Sequence, residues 1–133
     1  MADLLNKFPE PFEPLRVNRF LVNFPEEMKI PTWMIKTIHL PKLTQKPVFK
    51  TSPYIEVKTF NSETFFCIDV VSPYLNKKFE LIIEYLTPVG IPIYKIRFKG
   101  CHFISVYNSE LSYDSNDFLY TYLIIDYDAY EIL

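Results

Sequence analysis

Chemistry in this chain would have to come from two histidines, two cysteines and a few cationic runs. His39 lies in MIKTIHL and His102 in KGCHFISV. A histidine acting as general base needs a carboxylate to orient it, and neither has an Asp or Glu at short spacing. Cys101 and His102 are adjacent, but successive residues of a strand point to opposite faces, so adjacency does not make a Cys–His pair. Cys67 and Cys101 show no C-x-x-C or other zinc spacing. They read as free, half-buried thiols. The patterns G-x-S-x-G, H-E-x-x-H and G-x-G-x-x-G do not occur. No catalytic residue, metal site or cofactor is expected.

Charge offers more. Lys95, Arg97 and Lys99 alternate through IYKIRFKG, which puts them on one face of a strand. That stripe either pairs with carboxylates on an adjoining strand, such as Glu80 and Glu84, or tracks phosphates. It has no aromatic residues interleaved on the same face, and the net charge of the chain is −2. The pairing reading is favoured. Lys42, Lys46 and Lys50 fall in KLTQKPVFKTSP, an exposed loop or loose hairpin, or an arm reaching a neighbouring subunit.

The elements that must position these residues are β-type. With 133 residues, 17% aromatic, 11 Pro and 2 Gly, the chain suits one strand-rich domain with a single core. The aromatic content exceeds what a small core uses, which points to interfaces. The first residues lack a charged region followed by an apolar run, so no signal peptide is expected. No apolar run approaches the roughly 20 residues that span a membrane. A soluble protein made in a reducing cytoplasm is the expectation.

Residues 1–15 read as a proline-punctuated arm, either frayed or docked on the body or a neighbour, and 16–133 as the domain. The first strand is expected over 16–24, with Phe20, Val22 and Phe24 facing the core. Trp33, the only tryptophan, is expected to plug the core. A strand over 34–40 follows. YIEVKTF (54–60) and FFCIDVV (65–71) read as a hairpin around residues 61–64. KFELIIEYLT (78–87) should be a strand with Phe79, Leu81, Ile83 and Tyr85 inward. After a turn at Gly90, Ile91–Lys99 alternates, and Gly100 is expected to bend or bulge the strand before Cys101–Tyr107. The last and longest strand is expected over 118–131. The sum is an all-β fold, an antiparallel barrel or sandwich of about seven or eight strands with little helix.

Two segments then carry a resemblance. NRFLVNFPEEMKIPTWMIKTIHLPKL (18–43) resembles the opening of the tail-tube proteins of contractile-tailed bacteriophages, with its N-R-F start, I-P-x-W turn and strand ending in Pro. A second match follows in the right order: Pro88-x-Gly90, Lys99-Gly100-Cys101, Ser105-Val106, Leu111-x-Tyr113 and Tyr127-Asp128. The resemblance implies a tube-fold barrel forming homo-oligomeric, hexameric rings that build or extend a tube conducting DNA. It implies a structural virion protein, not an enzyme, assembled in the host cytoplasm. Its implied partners are itself, other tail or virion proteins and DNA in passage, with no membrane. Lys95, Arg97, Lys99, Lys42, Lys46 and Lys50 become subunit-interface or DNA-facing residues. The family has a longer middle with a packed helix. Residues 44–78 here read as short, proline-rich and strand-like, which widens the implied position to baseplate, neck or elsewhere in the virion. The rival reading is a β-barrel nucleic-acid-binding or adaptor module using strand 95–99.

Overall fold

A computed structural model describes residues 14–42 and 54–133. The order is β1 (Phe20–Asn23), single 3-10 turns at Glu26–Met28 and Thr32–Met34, β2 (Ile35–His39) and β3 (Ile55–Phe60). Helix α1 (Cys67–Val71) and a 3-10 turn at Ser72–Tyr74 follow. Then come β4 (Phe79–Leu86), β5 (Pro92–Asn108), β6 (Tyr120–Asp126) and β7 (Ala129–Ile132). The expected arm (1–15) is described only at Pro14 and Leu15, and the 42–53 segment only at Lys42.

All strand pairings are antiparallel, along the path β1-β4-β5-β6-β3-β2, with β7 also on β5. β5, 17 residues long, belongs to both sheets. Its first half pairs with β4 on one side and β7 on the other, and its second half pairs with β6. The change falls at Gly100, which takes φ +64°. A Cβ there would run into the Asp128 carboxylate and would be strained at this φ, so glycine suits the point where β5 turns from one sheet into the other. The bend anticipated at Gly100 is therefore present.

Alternation fixes the core. Val22, Ile83 and Ile96 line up across β1, β4 and β5, and all three are buried. In the other sheet Ile38, Val57, Leu123 and Val106 form one row across four strands. Phe98 is fully buried where the sheets meet, and Phe79 packs 4.9 Å from Phe103, centroid to centroid. Expected inward faces hold for β1 and β4, although β1 is shorter than anticipated.

Three expectations are corrected. Residues 65–71 do not form the second arm of a hairpin. The turn itself closes, with Ser62 N–H donating to the Phe65 carbonyl at 2.8 Å. β3, however, is already paired on both edges, by β2 and β6, and leaves no edge for another strand. Cys67 and Val71, four apart, are instead buried as one helical face. Asn61 anchors that helix: its Oδ1 accepts the Cys67 N–H at 2.9 Å, while Nδ2 donates to Thr121 Oγ1 (2.9 Å) and the Leu119 carbonyl (3.2 Å).

Trp33 does not plug the core but stands 76% exposed. The turn after Pro31, closed by Met34 N–H to the Pro31 carbonyl, sends Ile30 and Ile35 inward and the indole outward. The last strand is also not continuous. It breaks at Tyr127–Asp128, opposite the β5 bend, where Asp128 N–H donates to the Lys99 carbonyl at 2.9 Å.

Candidate assembly surface

β4, β5 and β7 present one outward face of alternating charge. Arg97 Nη1 donates to Glu131 Oε1 at 2.8 Å, and Arg97 Nε lies 3.6 Å from Glu80 Oε2. Lys99 Nζ is 3.2 Å from Glu131 Oε2, and Lys95 Nζ is 3.6 Å from Glu84 Oε1. Lys78 Nζ meets Asp128 Oδ2 at 2.8 Å. Lys99 and Arg97 together hold the Glu131 carboxyl below its ordinary range. The stripe anticipated at Lys95, Arg97 and Lys99 thus exists on one face, and its cations are engaged by carboxylates of adjoining strands. Any contact through this face is made by a neutral ladder. Lys42 sits beyond β2, at the far end of the strand path, and is exposed. Lys46 and Lys50 lie outside the described residues.

The outward face of the other sheet carries a cluster the sequence reading did not assemble. Lys36 Nζ donates to Tyr120 Oη at 2.9 Å, and this bond raises the lysine above its ordinary value. Lys58 Nζ lies 4.1 Å from the Tyr120 ring centroid, a cation–π distance. Tyr107 and Tyr122 stack at 5.1 Å. The β3–β6 register, which puts Lys58 and Tyr122 opposite one another, brings them together.

The groups with potential chemistry do not converge. His102 faces Asp126 across β5 and β6, but Nε2 and Oδ2 are 3.9 Å apart, beyond a hydrogen bond. His39 lines a groove beside β1 and β2, and among the described residues no carboxylate lines it with His39. Both thiols are free, and both are fully buried where half-buried thiols were expected. Burial pushes Cys101 up to about 12 and Cys67 upward as well. Among the described residues no three His, Cys, Asp or Glu side chains group as metal ligands.

What the surface does offer is apolar area. Val17 (97%), Leu111 (82%) and Val89 (79%) are exposed, as are Ile91, Ile93, Tyr113 and Phe118.

No family model matches this chain, and no curated protein matches it. Solved structures do. A chain from the sheath/tube terminator of PVC, an extracellular contractile injection system in its extended state, superposes with a TM-score of 0.74 at 14% identity. The match covers 92% of this chain and 99% of that one. A chain from the tube-terminating cap of the anti-feeding prophage gives 0.71 at 12% identity, covering 95% of each. Hcp1 from Flavobacterium johnsoniae gives 0.58 at 5% identity, over 86% and 94%. At these identities the likeness is one of fold, and the fold is the tail-tube type that the two sequence segments resemble.

Proposed function

We propose that this chain is a structural, non-enzymatic subunit of a contractile tail-like particle. Copies of it associate into closed rings, six to a ring, that build, extend or terminate the tube. The observation that carries this reading is the end-to-end match to tube-terminator and cap chains, over nearly the whole of both partners. The exposed apolar side chains supply what a ring needs, since obligate interfaces bury on the order of 2,000 Å² or more. Its partners are other copies of itself and neighbouring tail proteins, and its place is the assembled particle, a phage virion or a related injection machine. Passage of DNA through the ring belongs to the phage form of this reading.

The test is mass in solution joined to electron microscopy. Rings or short tubes of the purified chain are the expected result. A monomer at all concentrations, including in the presence of co-expressed tail proteins, contradicts the proposal. The rival role in nucleic-acid binding draws no support from the stripe, because Lys95, Arg97 and Lys99 already face Glu84, Glu80 and Glu131.

A further inference from the structure

The hairpin that joins β4 to β5 ends in a tip that is apolar, exposed and stiff. From Leu86 to Tyr94 the chain carries no charge. Val89 is 79% exposed, and Ile91, Ile93 and Tyr94 are exposed as well. Gly90 N–H donates to the Thr87 carbonyl at 2.9 Å, and Thr87 N–H donates to the Ile91 carbonyl at 2.9 Å. Ile91 N–H donates to Thr87 Oγ1 at 3.0 Å. These bonds fix the backbone of the tip while its side chains stand out, so little conformational freedom is lost when they are covered.

At the other end of the same sheet lies a cleft of about 720 Å³. It forms where β1 runs into the turn at Glu26–Met28 and where the chain after Ser72–Tyr74 enters β4. Phe24, Met28, Tyr74 and Ile82 give it apolar walls. Tyr74 Oη donates to the Glu27 carbonyl at 2.9 Å and so ties one wall to the other. β4 separates this cleft from the tip. Phe79 and Glu80, at the start of the strand, line the cleft, and Leu86, at its end, pairs with Pro92 just below the tip. Eight residues of strand set the two roughly 26 Å apart.

We propose that the tip of one copy seats in the cleft of a copy in the next ring. The inference rests on the ring-forming reading above. A tip and a seat at opposite ends of one sheet do not meet within a subunit. A contact between them is heterologous and repeats head to tail, in one direction. Its size says which assembly it serves. Val89, Ile91, Ile93 and Tyr94 together offer roughly 300 Å² of apolar surface. A free pair of proteins is held by about 800 Å² on each partner, so one such contact is too small to make a dimer. Made once per subunit around a ring, the same contact gains by multivalency. It suits ring stacked on ring.

The test uses full-length chains. Val89→Asp puts a charge on the tip, and near-native circular dichroism and melting confirm that it is folded. Its rings are expected to form as those of the unaltered chain do. Stacking of those rings, read by electron microscopy and sedimentation, is expected to need at least tenfold more protein. The seat is tested with separate Val89→Cys and Glu27→Cys chains, since both native thiols are buried and stay out of the reaction. Oxidised together with copper phenanthroline, the two are expected to give a disulfide-linked pair well beyond what either chain yields alone. Val89→Asp rings that stack at unaltered concentration overturn the inference and leave the ring reading intact. So do unaltered rings that never stack. A mixture without the linked pair also overturns it, and assigns the tip to a different protein. If the unaltered chain forms no rings, the ring reading falls and this inference with it.

Discussion

Arg97 on β5 donates to Glu131 on β7 across 2.8 Å, and the same carboxylate accepts from Lys99. One acidic side chain on a four-residue terminal strand therefore gathers two cations from the central strand. Glu131 is held below its ordinary value of 4.5 by these bonds, Lys99 foremost. A carboxyl depressed in the folded state contributes stability above 4.5 that fades as pH falls through the lower folded value. Melting temperature should drop on acidification below about pH 4.5. Glu131→Gln should flatten that part of the profile; an unchanged pH slope in this variant contradicts the assignment.

Gly100→Ala should destabilise by about 1–3 kcal/mol, since it adds positive-φ strain to a collision with Asp128. Adding Asp128→Ala removes the collision but not the strain, so the double variant should recover only part of the loss. Urea unfolding of the three chains separates the two contributions.

Asn61→Ala removes an acceptor for the Cys67 N–H and the bonds donated to the Leu119 carbonyl and to Thr121 Oγ1 at once. A loss of about 1–3 kcal/mol is expected. Asn61→Asp keeps the acceptor and loses both donors, so it should fall between the two in denaturant midpoint.

Neither thiol should react with a disulfide reagent in the folded chain near neutral pH. Cys101 is fully buried, pushed up to about 12 by that burial, and its Sγ lies 3.4 Å from the Phe98 carbonyl. Titration in guanidinium should release both at once, whereas rapid modification of the native chain contradicts the structure.

Trp33→Ala should shift stability by no more than about 0.5 kcal/mol, as for an exposed side chain. Indole fluorescence of the unassembled chain should be readily quenched by acrylamide. A protected indole there contradicts the outward placement.

Period-two alternation made much of this legible in advance. Phe79, Leu81 and Ile83 turn inward as the pattern in KFELIIEYLT requires, and Gly100 does mark the bend. FFCIDVV misled because alternation is local, while strand formation needs a vacant edge; β3 had none. Trp33 misled because hydrophobicity does not say which way a tight turn aims a side chain. The cation stripe was readable, and so were two of its partners. Glu131 was not, because its register with Arg97 depends on the break at Tyr127–Asp128 that restarts the last strand. The neighbours of Lys36 and Lys58 were not readable, since no local signal pairs β3 with β6.

β5 runs without interruption through both sheets, and this gives the molecule a mechanical character. Sliding one sheet over the other would have to deform a covalent backbone, not merely exchange hydrogen bonds. Load applied to β4 or β7 at one end passes along that single strand to β6 at the other. The two sheets are tied as by a cord threaded through two plates, with the bend at residue 100 as the point where a pull along it changes direction.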